Sequence, residues 1–135
     1  MHGRIFADTN ILVYAFSKST DGKKEIAIRI LDDLQLTIST QVIREFIHVG
    51  TTKYRQSIDE ILGDVGNITD AADIVVEDMS LIDKAIELHR QYKFGFYDCL
   101  IIAAALVSEC NVLYSEDMQH RQVIEGTLTI VNPFL

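Results

Sequence analysis

The sequence predicts an α/β protein, a three-layer α/β/α sandwich around a mainly parallel five-stranded sheet. Short apolar runs of strand character alternate with segments of helical period, the pattern of parallel strands joined by crossover helices. No repeat, low-complexity tract or Gly/Ser/Pro-rich linker interrupts the alternation, and Pro133 is the one proline. The 135 residues, 48% hydrophobic and 24% charged, suit one domain spanning 1–135 with one core.

Arg4-Ile5-Phe6-Ala7 reads as the first strand and ends on Asp8. A short helix follows through Ile11, Leu12 and Tyr14. Lys23 to Gln35 reads as a helix because Ile26, Ile30, Leu31 and Leu34 fall at i, i+4, i+5 and i+8. Leu36-Thr37-Ile38 is the second strand. From Thr40 a helix carries Val42, Ile43, Phe46, Ile47 and Val49, with Ser39 or Thr40 as its N-cap. Ser57 to about Gly63 is a further short helix, ended by Gly63, Gly66 and Asn67. Ile74-Val75-Val76 is the third strand. Ser80 opens a helix with Asp83 three residues on, close to a capping box, and Ile82, Ala85, Ile86 and His89 share its apolar face. The segment from Tyr97 to about Glu109 is apolar almost all round, so its helix is expected to be enclosed. Val112-Leu113-Tyr114 and Leu128-Thr129-Ile130-Val131 are the fourth and fifth strands.

Several function classes fall away. The longest apolar run, Cys99 to Val107, is far short of the roughly 20 residues that span a bilayer. Met1-His2-Gly3-Arg4 runs straight into the first strand, as expected of a cytoplasmic protein without a signal peptide. Cys99 and Cys110, placed on one continuous helix, would lie roughly 16 Å apart at 1.5 Å per residue, too far for a disulfide. They lack zinc-site spacing and read as buried thiols. No P-loop or dinucleotide fingerprint is present. The net charge of −8 argues against nucleic-acid binding unless acids are gathered around cations, which invert the local sign.

Four acids stand where hydrophobic segments begin or end. Asp8 closes the first strand and Asp117 follows the fourth, and open parallel sheets bind ligands at the carboxyl ends of their strands. Asp98 opens the enclosed helix, where free N–H groups favour a carboxylate; simple capping is the plainer reading of that residue alone. Glu45 flanks the apolar stripe of its helix and alone reads as a boundary glutamate. Together, four carboxylates without Lys or Arg partners would raise one another's pKa values. A hard divalent cation with oxygen ligands, Mg²⁺ or Mn²⁺, resolves that conflict and brings hydrolytic chemistry with it.

Asp8-Thr9-Asn10 after a strand, Arg44-Glu45-Phe46 in a helix, Tyr97-Asp98-Cys99-Leu100-Ile101-Ile102-Ala103, and Leu113-Tyr114-Ser115-Glu116-Asp117-Met118-Gln119 resemble, in order and spacing, the successive motifs of PIN domains. Among these the chain is similar to VapC-type toxins, the ribonuclease halves of VapBC toxin–antitoxin pairs, over essentially its whole length. The resemblance implies a PIN-like fold and endonucleolytic cleavage of RNA by metal-activated water. It makes Asp8, Glu45, Asp98 and Asp117 the catalytic, metal-binding acids, with Thr9, Asn10, Ser115 and Glu116 in support. It also implies a small basic antitoxin as partner; a homodimer or higher hetero-oligomer is expected besides. Where relatives continue Ser-Glu-Asp with His and Gly, this chain has His120-Arg121 further on, a departure in the local loop.

Other residues are read more plainly. His2, His48, His89 and His120 show no metal spacing, and His89 is expected in the core. Phe94, Phe96 and Tyr97 are expected to pack under a loop, with base stacking as the alternative. Lys23, Lys24 and Arg29 read as a solvated helix face. Arg4, Arg44, Lys53, Arg55 and Arg121 are the better candidates for phosphate contacts. The competing functions are a haloacid-dehalogenase-like phosphatase, a receiver domain with Glu77-Asp78 after the third strand, and a catalytically silent RNA- or protein-binding scaffold. The first lacks its second Asp, since Asn10 stands there, and the second is only loosely matched.

Overall fold

The computed structural model describes residues 3–18 and 21–135, so His2 lies outside it. Among the described residues the order is β1 (Arg4–Ala7), α1 (Thr9–Phe16), α2 (Gly22–Leu31), β2 (Leu36–Ser39), α3 (Thr40–Thr52), α4 (Ile58–Ala71), β3 (Asp73–Val75), α5 (Met79–Gln91), α6 (Phe96–Val107), β4 (Cys110–Tyr114), β5 (Val123–Ile124) and β6 (Leu128–Val131). The sheet runs β3-β2-β1-β4-β6-β5. Every pairing is parallel except β5 with β6.

This order explains the layers. Connections β1 to β2 to β3 step one way across the sheet and β3 to β4 steps back. Right-handed crossovers therefore put their helices on opposite faces. Accordingly α1 packs on α2 and α3, α3 on α4, and α5 on α6. The strand order reverses between β1 and β4, which opens a crevice at their carboxyl ends. Buried apolar side chains from both layers form one cluster, with Phe6, Ile38, Leu113 and Ile130 of the sheet fully enclosed.

The structure departs from the sequence reading in five places. There are six strands rather than five, because Val123–Ile124 returns antiparallel onto β6. Helix α2 stops at Leu31: the Asp33 carboxylate accepts the Gln35 N–H at 2.8 Å in a local turn, and Leu34 is 93% exposed. Helix α4 continues through Gly63 and Gly66, because Ile61, Val65 and Ile68 at i, i+4 and i+7 hold it to the core. Each exposed glycine costs such a helix only about 1 kcal/mol. Helix α5 is capped by Asp78, whose carboxylate accepts the Leu81 N–H at 2.9 Å, rather than opened by Ser80. Its buried stripe is Leu81, Ala85 and Leu88, which leaves Ile86 and His89 exposed. His89 is satisfied all the same, its Nδ1 lying 2.8 Å from the Phe94 carbonyl.

Finally, α6 ends at Val107: Ser108 donates back to the Ala104 carbonyl and Glu109 takes a left-handed φ of 61°. Cys110 therefore starts β4 instead of sharing the helix with Cys99, and both thiols are free and buried. The Ser39 hydroxyl caps α3 by accepting the Val42 N–H at 3.3 Å. That bond turns the chain from β2 directly into the helix that carries Glu45. Among the described residues no helix is long and apolar enough to cross a membrane.

Candidate functional site

Asp8, Glu45, Asp98 and Asp117 line one cavity of about 160 Å³, together with Thr9, Asn10, Gln41, Val49, Tyr97 and Ile101. Each acid comes from a different part of the fold. Asp8 directly follows β1 and is the N-cap of α1, its carboxylate accepting the Thr9 N–H at 2.7 Å. Glu45 stands on α3, Asp98 in the first turn of α6, and Asp117 in the loop after β4. The cavity thus sits at the β1/β4 reversal, where an open parallel sheet binds ligands.

Polar neighbours hold three of these acids, Asp8, Glu45 and Asp117. Buried Ser115 donates to the second Asp8 oxygen at 3.0 Å. Asn10 Nδ2 donates to Asp117 at 2.9 Å. The Thr9 hydroxyl reaches Glu45 at 3.4 Å, so Thr9 serves two acids: its N–H holds Asp8 and its side chain meets Glu45. Desolvation by burial, which outweighs the bonds from Thr9 and Ser115, and the nearby charges of Glu45 and Asp98 raise the Asp8 pKa to about 6. Burial, and then the charge of Asp117, raise Asp98 as well. The cavity lining contains no Lys or Arg, and no ion pair recorded among the described residues involves any of the four acids.

Glu116 does not join them. It is bound by the Lys23 ammonium and by the Tyr14 hydroxyl. Burial opposes its ionisation, but the bonds from Lys23 and Tyr14 outweigh it and lower the pKa. Lys23 also lies over the Tyr14 ring, 4.9 Å from its centroid, and Tyr14 meets Phe134 edge-on at 5.2 Å. So Glu116 clips α1 and α2 to the loop, and Asp117 faces the cavity. Lys23 is part of that clip rather than a solvated helix face, and Lys24 donates to the Ser17 carbonyl at 2.7 Å.

Of the phosphate candidates, Arg4 is at the wrong end of β1 and pairs with Asp73 at 3.1 Å. Arg44, beside Glu45, pairs with Glu77 at 3.3 Å. His120 receives the Asn132 N–H at 2.9 Å and has Arg121 Nε 3.3 Å from its other nitrogen, so it ties the loop to the chain end. Phe94 packs against the core as expected, but Tyr97 is 73% exposed at the cavity.

Gln41 is the residue that reading for acids overlooked. It is buried, and its Nε2 donates to Glu45 at 3.1 Å and to the Tyr97 carbonyl at 3.4 Å. One amide group thereby fixes the Glu45 carboxylate and ties α3 to the first turn of α6. The available signal was spacing, since residues i and i+4 share a helix face. Replacing Gln41 with Met keeps the bulk and removes both donors. That change is expected to cost about 1–3 kcal/mol, as for hydrogen bonds to charged groups, with the loss of stability read by urea unfolding. Unchanged stability would show that Glu45 and Tyr97 do not rely on it.

Does this set suit a divalent cation? The donors are all oxygen, their charge is uncompensated, and two of the pKa values are raised, by burial first and by neighbouring carboxylates second, as at a hard-metal site. Against that, among the described residues no three Asp, Glu, His or Cys side chains stand close enough to grip an ion as they are placed. Asp8, Glu45 and Asp117 are instead held by neutral donors, from Thr9 and Ser115, from Thr9 and Gln41, and from Asn10. Mg²⁺ keeps several waters and uses one or two carboxylates rather than a protein cage, so an open arrangement fits it.

Comparison with solved structures gives the same fold elsewhere. A toxin–antitoxin complex from Klebsiella pneumoniae matches with TM-score 0.69 and 24% identity, over 96% of this chain and 97% of that one. VapC20 from Mycobacterium tuberculosis, described as a sarcin–ricin loop cleaving toxin, gives 0.68 and 16%, over 84% and 89%. VapBC2 from Rickettsia felis, bound to a promoter DNA fragment, gives 0.68 and 18%, over 93% and 96%. A comparison with curated proteins gives no match. The family profile described as PIN domain covers residues 5–125, from β1 into the hairpin after β5, and the chain belongs to the PIN-domain family.

Proposed function

We propose that the protein is a Mg²⁺- or Mn²⁺-dependent endoribonuclease of the cytoplasm, the toxin of a toxin–antitoxin pair, folded as a single domain. The observation that supports this best is the cavity itself: four carboxylates from four elements share it with no basic side chain. Asp8, Glu45, Asp98 and Asp117 would hold the ion, Asn10, Thr9 and Ser115 orient the acids, and Glu116 shapes the loop. When bound, the ion supplies positive charge that activates water and polarises a phosphoryl oxygen. Asp8 stays anchored by two donors whichever way its neighbours swing, and Asn10 holds Asp117 on the rim.

The test is hydrolysis of RNA and of a phosphate monoester by the purified protein in Mn²⁺, with EDTA as control. RNA cut only in the presence of metal supports the reading. Cleavage of the monoester alone would restore the phosphatase alternative. The separation of the acids gives some support to a silent scaffold, and on that reading neither substrate is cut and Mn²⁺ leaves Tm unchanged.

The partner we propose is a small protein with a basic residue that reaches Asp8 and Asp98 in place of metal. Its apolar anchors would pack on the helices that contain Ile11-Leu12 and Val42-Phe46, although Ile11, Leu12 and Val42 themselves are wholly buried. An apolar groove of about 340 Å³ is lined by Val13, Phe16, Phe46, Val49 and Tyr54 and shares Val49 with the acidic cavity. Exposed Ile58 and Leu62, one turn apart on α4, would serve self-association. Co-expression with the adjacent upstream gene is expected to give a co-purifying complex that cuts RNA more slowly than the free chain. Two proteins that separate, or a complex as fast as the free chain, would end the antitoxin claim and leave the nuclease claim standing.

A further inference from the structure

The nuclease reading leaves open how an RNA is held by a protein of net charge −8. Phosphate attraction is poorly supplied here. No Lys or Arg lines the cavity, and the cations beside the acidic motifs are engaged, Arg44 by Glu77 and Lys23 by Glu116. What the rim does offer is an aromatic surface. Tyr97 lines the cavity next to Asp98 and leaves 73% of its surface in water. Phe96, itself 37% exposed, meets Tyr97 at 6.2 Å with the planes at 68°, and His89 meets Phe96 edge-on at 6.3 Å on the other side. The Tyr97 backbone is pinned twice, by its place in the first turn of α6 and by the Gln41 bond to its carbonyl. The ring is therefore carried on a rigid element, beside the carboxylates, with open space around it.

We infer that Tyr97, supported by Phe96, is a stacking platform for an unpaired nucleobase of the RNA strand entering the acidic cavity. This rests on the nuclease reading and deepens it. A base inside a duplex has both faces covered by its neighbours, so only an unpaired nucleotide can present one to the ring. Stacking adds binding energy that does not depend on cations in the cavity, because it draws on the π-face that every base carries. The substrate class is thus a single strand or a loop, held by one base beside the cavity.

The test measures binding apart from cutting. The Asp8→Asn protein is titrated with a short single-stranded RNA carrying 2-aminopurine at successive positions, and with the same sequence as a duplex. Adding Tyr97→Ala is expected to weaken single-strand binding roughly 10- to 100-fold and to abolish fluorescence quenching at one position. Tyr97→Phe keeps the ring and is expected to stay within about threefold of the parent. The duplex is expected to bind weakly and to be indifferent to both changes. In the active protein Tyr97→Ala raises KM and leaves kcat near its starting value, and its Tm stays with the parent because the ring is exposed. The inference is overturned if Tyr97→Ala binds the single strand as the parent does, if Tyr97→Phe falls as far as Ala, or if the parent shows no single-strand binding. A wild-type chain that binds RNA through Tyr97 but never cuts it refutes the nuclease reading alone.

Discussion

Replacing Asp8 with Asn is expected to lower RNA cleavage in Mn²⁺ by more than about 100-fold, the upper range for loss of a group that only supports a metal ligand. The change keeps the shape of the side chain. One amide oxygen can still accept the Thr9 N–H, and the Ser115 hydroxyl can turn to accept from the amide, so both contacts survive. Only the charge goes, and the loss of activity follows charge rather than size. Asp98→Asn is expected to behave alike. Groups that act as one unit are not additive, so the double variant should be little worse than either single one. Initial rates on a labelled RNA check this; undiminished cleavage by Asp8→Asn in EDTA would overturn the mechanism.

The same substitution is expected to make the metal-free protein more stable at neutral pH. The folded chain holds the Asp8 pKa at about 6, against 3.8 for the free side chain, so the native state binds this proton more tightly than the unfolded state does. Stability from this group is complete below pH 4 and is lost as pH rises towards 6, because the unfolded chain ionises first. Above pH 6 the deficit is constant, on the order of 2–3 kcal/mol. An Asn carries no such deficit, so Asp8→Asn should melt roughly 6–12 °C higher than the parent at pH 7.5 without metal, and about equally at pH 4. Mn²⁺ should raise the Tm of the parent by mass action and raise that of the variant far less. Scanning calorimetry at the two pH values with and without metal reads all four quantities. A variant that is less stable than the parent at pH 7.5 would show that ionising the buried Asp8 carries no such cost.

The acids were legible because their placement follows from topology. A carboxylate at the end of an apolar strand run, such as Asp8, can be assigned to the carboxyl edge of a sheet before any coordinates exist. The same holds for Asp98 at the start of the apolar α6 segment. What stayed hidden depends on contacts distant in sequence. Glu116 and Asp117 are adjacent and equally acidic, and Lys23 and Tyr14, 93 and 102 residues away, draw Glu116 out of the site. Gln41 carries no charge and so fell outside a search for ligands, although its spacing from Glu45 was available. Among the elements, β5 was lost because two residues give no periodicity. Its turn uses Glu125 and Gly126, both at positive φ, where Asn-Gly would have signalled a hairpin. Gly63 and Gly66 misled in the opposite direction, since a glycine ends a helix only when no buried stripe carries it onward.

The two borders of the sheet are its shortest strands. β3 has three residues, opened by Asp73 in its pair with Arg4, and β5 has two, followed directly by the Glu125-Gly126 turn. A row of unpaired amide groups long enough to template another chain is thus missing on both sides. Strand-to-strand growth between folded copies, the common route to fibrous aggregates, is disfavoured at both edges of this sheet. Contact between folded copies therefore falls to the helices, where Ile58 and Leu62 of α4 are exposed.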